Sequence, residues 1–400
     1  MRLDRQRLAR ELTALEALSQ RRQRRLVQAF PHPGDPTWVR VDGQLARNFC
    51  SNDYLGLSHH PALLDAAAQA SSRFGFGAGA AHLVTGHSVE HHELEQELAA
   101  FTGRQRALLF STGYMANLGV ISALTDRHDV LIADRLNHAS LLDAARLSGA
   151  PLKRYAHADA AAAERLLAGE ARALAPEHAA LLVTDGVFSM DGDLAPLAPL
   201  AALAQAHGAA FMVDDAHGLG VLGAHGGGAL EQVGLSAQQV PLLVGTLGKA
   251  FGSFGAFVAG DAQLIDYLMQ RARTYMYTTA LPPAVAAASR AGLRLSQQEA
   301  WRRARVLALV RRFRNAATAA ALPLMASATP IQPLIVGSAA KAASLSAALL
   351  AAGFWVAAIR PPSVPRGSAR LRITLSAAHR EEDVDALVAS LQSLWHEQLA

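Results

Sequence analysis

One cysteine, Cys50, is present in 400 residues, so no intrachain disulfide can form and a cysteine-based structural zinc site lacks its ligands. No apolar stretch runs uninterrupted for the roughly 20 residues that a bilayer requires. The opening residues, Met1 to Arg5, alternate charged and apolar side chains where a signal peptide would carry an apolar core, so the expectation is a cytoplasmic protein with no membrane association. Fixed-period repeats are also missing, and the alanine-rich segments have helical spacing rather than low complexity. Net charge is only +4 with histidines neutral, and the arginines lack interleaved aromatic residues, so no nucleic-acid partner is expected. The scarcest basic residue is lysine. Of 37 lysines and arginines only Lys153, Lys249 and Lys341 are lysines.

That scarcity draws attention to Lys249 within Gly245-Thr246-Leu247-Gly248-Lys249-Ala250-Phe251-Gly252. Arginine stays protonated and cannot act as a free amine nucleophile or form a Schiff base, whereas lysine can do both. On composition alone Lys249 is equally an amine for chemistry or an ordinary loop residue. Lys341 lies in an alanine-rich helical stretch and Lys153 follows Pro151, so both read as ordinary. Of the two dense basic stretches, Arg302 to Arg312 carries apolar residues at helical spacing and reads as a solvated helix face. Arg21-Arg22-Gln23-Arg24-Arg25 is less periodic; it is a helix end or a contact for an acidic substrate.

With 51% hydrophobic residues the chain can bury a large core, and the pattern divides into three stretches. Residues 1–50 read as a charged helix and an irregular arm through Pro31, Pro33 and Pro36. Residues 51–290 alternate short apolar runs with amphipathic helices; strands are expected at 107–110, 130–133, 180–183, 210–213 and 242–244. Such units build an α/β domain with a mostly parallel sheet covered on both faces. Residues 291–400 read as a smaller α+β domain: a helix near 299–320, strands at 333–336, 354–357 and 371–375, and a closing helix from about 380.

Ligands on such sheets bind beyond the carboxyl ends of the strands, and each expected strand end here carries polar or glycine residues. Ser111-Thr112-Gly113-Tyr114 leads into a helical run, a place where free N–H groups and the helix dipole suit an anion or simply make an N-cap. Asn137-His138 precedes another helix, and Thr184-Asp185-Gly186 opens a polar loop that reaches Asp193. Asp214 ends a buried strand, which is costly unless something compensates its desolvation. A protonated ring nitrogen would do so. If pyridoxal phosphate is bound through a Schiff base to Lys249, Asp214 holds the pyridinium proton and the Gly113 turn with Thr246 takes the phosphate; the ring is then an electron sink.

Other motifs fail on spacing. Gly218-Leu219-Gly220-Val221-Leu222-Gly223 matches the dinucleotide fingerprint, but no apolar helix follows and no acidic residue ends a strand about 20 positions on. Gly248-Lys249-Ala250 lacks the first glycine and the Ser/Thr of a P-loop, and His91-His92-Glu93 lacks the second histidine of a zincin; no metal is expected.

These motifs, together with Ser51-Asn52-Asp53-Tyr54-Leu55-Gly56-Leu57, Gly86-His87-Ser88-Val89-Glu90-His91 and Thr278-Thr279-Ala280-Leu281-Pro282-Pro283, resemble the α-oxoamine synthases over nearly the whole chain. These are pyridoxal-phosphate enzymes of the aminotransferase-like fold type I that condense an amino acid with an acyl thioester and release carbon dioxide. The stretches 187–193 and 359–375 are most similar to the branch that joins L-alanine to a pimeloyl thioester, carried on coenzyme A or an acyl carrier protein, in biotin biosynthesis. Relatives that use glycine or serine usually differ in the second stretch.

The resemblance implies that Lys249 holds the cofactor and later serves as base, that His138 stacks on one ring face and Ala216 packs on the other, and that Asp214 pairs with the ring nitrogen. His217 and Ser189 would contact the ring hydroxyl. Gly113, Tyr114 and Thr246 would bind the phosphate, with Thr278 or Thr279 of a partner subunit in a homodimer. Arg372 would clamp the amino acid carboxylate, with Ser363 and Arg22, or Arg24 in its place, as further substrate contacts. Two departures keep the functional group: Asp185 where relatives carry glutamate, and Ser363 where threonine is common.

Overall fold

A computed structural model describes residues 4–32, 35–175 and 177–399; Pro33 of the expected arm and the first three residues lie outside them. Residue contacts separate two compact units, one comprising residues 55–189 and 193–303, the other residues 1–54, 190–192 and 304–400.

The N-terminal segment holds more structure than an irregular arm. A helix at Arg5–Ala17, capped by Asp4 on the N–H of Arg7, is followed by β1 (Val27–Ala29), β2 (Trp38–Val41) and β3 (Gln44–Asn48), an antiparallel set. The turn between β2 and β3 places Asp42 at φ 48° and Gly43 at φ 81°, the left-handed pair of a tight hairpin. Val39, Val41 and Ala46 are buried, and Pro31 and Pro36 sit outside the strands.

The larger unit is built on seven strands: β4 (Arg106–Phe110), β5 (Val130–Asp134), β6 (Leu152–Tyr155), β7 (Ala180–Asp185), β8 (Ala210–Asp214), β9 (Leu242–Thr246) and β10 (Ala256–Gly260). Their order is β4-β10-β9-β8-β7-β5-β6, and only β10 runs against its neighbours. The five strands read from apolar runs are all present; β6 and β10 are additions. β6 is an edge strand whose Lys153 and Arg154 break the apolar pattern, so its sequence carries little strand signal. Side chains alternate between two helix-covered faces: Leu108, Phe110, Ala256 and Val258 enter one core, while Leu109, Phe257 and Ala259 enter the other. Phe257 is fully buried, which stabilises the fold by about 2–3 kcal/mol.

Register lines up the strand ends that matter. Asp185 sits opposite Asp214, and Asp214 opposite Val244, so the carboxyl ends of β7, β8 and β9 form one edge.

In the smaller unit β11 (Ile331–Gly337), β14 (Ala369–Thr374) and β13 (Ala357–Ile359) form an antiparallel sheet in that order. The single strand expected at 354–357 is two: β12 (Phe354–Trp355) pairs parallel with β3, and after buried Val356 the chain joins the other sheet as β13. The helix Trp301–Ala319 buries Val306, Leu309, Val310 and Phe313. Its arginines are not one solvated face: Arg312 pairs with Glu381 and Asp385 at the surface, whereas Arg303, buried, donates to the carbonyls of Ser296 and Ala224. A buried guanidinium meets carbonyls at helix and turn ends because it has five donors to place. No helix among the described residues is long and apolar enough to cross a membrane.

Candidate active site

The carboxyl edge of β5, β7, β8 and β9 collects most of the chemistry-bearing residues. Lys249 lies half-buried in the turn after β9, with Nζ 2.9 Å from Nε2 of buried His217. Lys153 pairs with Glu170 at 2.8 Å and Lys341 is exposed in the first turn of a helix, so Lys249 alone of the three faces this edge.

Asp214 is 6% exposed. Its Oδ1 accepts the N–H of Ala216 at 3.0 Å, and its Oδ2 accepts from Asn117 Nδ2 at 2.6 Å. Both donors are neutral, so they orient the carboxylate without cancelling its charge. The same Asn117 amide donates to Ser140 Oγ at 2.8 Å, and Ser140 Oγ lies 2.7 Å from His138 Nδ1. Because Ser140 Oγ already accepts from Asn117, its proton is available to His138 Nδ1, which also accepts the Ser140 N–H as the N-cap of the helix Ala139–Ser148. Nδ1 is therefore the acceptor and Nε2 carries the hydrogen. Burial agrees: it lowers the pKa of His138 below the usual histidine value, against the pull of Asp214. The ring is a neutral, fixed plate.

Asp185 and Asp215 flank this group. Asp185 Oδ2 accepts the N–H of His138 at 2.7 Å; desolvation, then the neighbouring Asp214, pushes the Asp185 carboxyl well above the carboxylate range. Asp215 points away from the edge and is fully buried, its Oδ2 accepting from Ala229 N at 2.7 Å, and burial pushes it up to about 8. A Cβ at Gly186 would stand 2.6 Å from Asp215 Oδ1, and Gly218 and Gly228 meet the same carboxylate, so these glycines make room for it. Of the glycines that mimic a dinucleotide fingerprint, Gly218 makes this room, whereas Gly220 and Gly223, both at φ 81°, sit in turns packed against Ala250 and Glu231.

At the end of β4, Thr112 caps the helix Gly113–Leu124 by accepting from Met115 N. The N–H groups of Gly113 and Tyr114 precede the intrahelical ladder, and a Cβ placed on Gly113 meets nothing within 4 Å. Tyr114 sends its hydroxyl to Asp143 Oδ2 at 2.5 Å. Thr246, ending β9, donates its hydroxyl to the Gly255 carbonyl at 2.9 Å and accepts from Gly248 N at 3.3 Å. Ser189 is half-buried after Phe188, in a segment closed by the Phe188 N–H to the Asp193 carbonyl at 3.0 Å. Thr278 is half-buried and Thr279 exposed in the bend after the helix Arg273–Met276.

The residues expected at substrate lie in the smaller unit. Arg372 on β14 is 6% exposed and donates to Asn52 Oδ1 at 3.1 Å. Arg22 donates to Ser363 Oγ at 3.1 Å, while Arg24 lines a cavity of about 440 Å³ with Arg21, Arg25 and Arg360. The structure thus joins Arg22, not Arg24, to Ser363. Asn117 and Ser140 were not foreseen as site residues, nor was Asp185 given a contact. A polar side chain inside the apolar run Met115 to Ile121 was the available signal for Asn117.

A planar, phosphorylated cation with an aldehyde fits this donor set: an amine at Lys249, a charge-bearing carboxylate at Asp214, a flat neutral face at His138 and open space before a helix N-terminus at Gly113.

Comparison with known proteins agrees with that fit. Residues 47–391 match the model of aminotransferase class I and II. An 8-amino-7-oxononanoate synthase of Methylococcus capsulatus is 59% identical over 96% of this chain and 97% of its own length. One from Pseudomonas aeruginosa is 55% identical over 98% and 95%. Among solved structures, a serine palmitoyltransferase from S. paucimobilis with bound PLP-myriocin superposes with a TM-score of 0.91 at 30% identity, over 98% of this chain and 97% of that one. The 8-amino-7-oxononanoate synthase of Francisella tularensis gives 0.77 at 30% identity, over 89% and 99%. The chain belongs to the class I and II aminotransferase family, and within it to the α-oxoamine synthases whose motifs it carries.

Proposed function

We propose that this protein is a pyridoxal 5'-phosphate-dependent acyltransferase that condenses L-alanine with a pimeloyl thioester, giving 8-amino-7-oxononanoate, carbon dioxide and free thiol, the chemistry of biotin biosynthesis. The observation that carries this reading is one strand edge that holds Lys249, against His217, and Asp214, which is joined to His138 through Asn117 and Ser140. When bound, the cofactor supplies a protonated ring that withdraws an electron pair from the amino acid's α-carbon.

The chain's own residues do the rest. Lys249 would hold the cofactor through Nζ, and the same Nζ, when free, would be the base that takes the amino acid's α-proton. His217, 2.9 Å away, holds that amine in place. Asp214 keeps the ring nitrogen protonated, and Asn117 fixes the carboxylate's direction. Neutral His138 covers one ring face and Ala216 packs on the other, with Ser189 and His217 at the ring hydroxyl. Gly113 and Tyr114 offer N–H groups to the phosphate, with Thr246 beside them and Thr278 or Thr279 contributed by the partner in a homodimer. Arg372 takes the alanine carboxylate as a planar fork, and Arg22 with Ser363 contacts the acyl donor. A cytoplasmic location belongs to this reading.

The test is a panel of alanine, glycine and serine against pimeloyl, palmitoyl and acetyl thioesters on coenzyme A and on carrier protein, scored by thiol and carbon dioxide release. Alanine with either pimeloyl donor is the expected productive pair. Turnover confined to glycine or serine would reassign the protein within its family.

A further inference from the structure

His157 lies outside every contact considered so far, yet it is wired into the same strand edge. It follows β6, and both its ring nitrogens meet carboxylates: Nδ1 is 3.1 and 3.2 Å from the two oxygens of Asp134, and Nε2 is 2.8 Å from Asp193 Oδ2. Two acceptors facing two ring nitrogens require a hydrogen on each, so the ring is an imidazolium between two carboxylates. Burial opposes that charge, but hydrogen bonds and attraction from Asp134 and Asp193 outweigh it and raise the histidine to about 10. Phe188 packs edge-on to the ring at 4.4 Å, so its orientation is set from a third direction.

What the two carboxylates hold makes the pair of contacts meaningful. Asp134 ends β5 and is fully buried; its Oδ1 accepts the N–H of Leu136 at 2.8 Å and its Oδ2 that of Ala158 at 2.7 Å. The Leu136 bond shapes the turn that delivers His138 to its N-cap position. Asp193 closes the other segment, through the Phe188 N–H on its carbonyl at 3.0 Å and the bridge between Val187 and Leu194. Ser189 follows directly. One cation therefore spans the turn that presents His138 and the segment that presents Ser189.

We propose that His157 is a positioning residue of the active site: as a cation clamped between Asp134 and Asp193, it sets the spacing between His138 and Ser189 on the cofactor ring. It touches neither cofactor nor substrate. The inference rests on the reading of His138 and Ser189 as ring contacts.

The experiment compares His157→Gln, Asp193→Asn, Ser189→Ala and the double variant His157→Gln/Ser189→Ala with the parent enzyme loaded with pyridoxal phosphate. Far-UV circular dichroism checks folding; the readouts are cofactor affinity, the absorbance of the bound cofactor, and kcat and KM for alanine. The expected result for His157→Gln is about tenfold weaker cofactor binding with an altered absorbance band, the scale of coupling within a shared network. Asp193→Asn moves the same readouts in the same direction, and Ser189→Ala reproduces the band change. In the double variant the two changes do not add. A purely structural histidine would lower stability without shifting the band. If His157→Gln does not fold, Asp193→Asn decides. A folded variant with parental affinity, band and kinetics overturns the proposal, as does full additivity in the double variant. Failure of the cofactor reading itself shows differently: the parent would then neither bind pyridoxal phosphate nor develop the band.

Discussion

Replacing Asp214 with asparagine isolates the charge at the centre of the site, because the new side chain keeps the shape and loses only the carboxylate. The Ala216 N–H can still bond a carbonyl oxygen at the Oδ1 position, 3.0 Å away. The Asn117 amide, 2.6 Å from Oδ2, would then face an NH2 group, a donor against a donor. Rotating Asn117 to offer its oxygen repairs that contact but breaks its bond to Ser140 Oγ. The fold therefore loses about one neutral hydrogen bond, roughly 1 kcal/mol. The larger effect is on chemistry: removing one member of a buried, hydrogen-bonded charge pair costs about 3–5 kcal/mol. Placed on the transition state, that is a loss of roughly two to four powers of ten in kcat. Steady-state thiol release with alanine and a pimeloyl thioester measures it, and a thermal melt of the same sample checks the small stability change. Activity within about fivefold of the parent would refute the assignment of Asp214 to the ring nitrogen, since a fivefold change is only about 1 kcal/mol.

Lys249→Ala should abolish turnover, and borohydride reduction followed by mass spectrometry should find no cofactor adduct on the chain; a retained adduct would mean that another residue carries it. Arg372→Lys, which exchanges a planar fork for a point charge, should raise KM for alanine by about tenfold or more while leaving kcat nearer the parent value; an unchanged KM would remove Arg372 from the carboxylate. Stability of the cofactor-free protein should fall between pH 6.5 and 8. Burial raises Asp215 to about 8 and Glu95 to about 7, so the folded state keeps protons there that the unfolded chain has already released. His157, raised to about 10, adds stability that is full below pH 6.5 and declines above it. Each such group contributes a slope of up to about 1.4 kcal/mol per pH unit within its window. Burial depresses His82 to about 3 and His379 to about 4; these work the other way, adding stability as pH rises towards 6.5 and none beyond. Melting temperatures from pH 6.5 to 8 check this, and a flat or rising curve would contradict it. Asp215→Asn should flatten the decline.

Much of the larger unit was legible because its determinants are local. β5, β7, β8 and β9 are covered on both faces, so each is a short, nearly continuous apolar run, and each run ends where polar residues meet the ligand edge. Lys249 and Asp214 could be placed on that edge from their distance along the chain to the preceding run. The weaker signals belong to strands whose stability comes from partners rather than from their own residues: β6, charged and on the edge, and β1 to β3, short, half-exposed and interrupted by Pro31 and Pro36 between β1 and β2. The switch of β12 and β13 between two sheets has no local mark either, since Val356 is simply one more apolar residue.

By itself, then, the sequence determined which side chains are candidates for the chemistry: a rare lysine, a strand-end aspartate, a histidine at a helix start and a glycine turn before a helix. These follow from residue type and from spacing within a few positions. Only the tertiary structure decided how they act on one another. It turned Asp214 towards the edge and Asp215 into the core through the alternation of a single extended chain. Through Asn117 it joined residues 97 and 23 positions apart into one network, and it set a cationic His157 between Asp134 and Asp193. A hydrogen bond depends on ångström distances between groups that the chain brings together only after folding, and no local pattern records it.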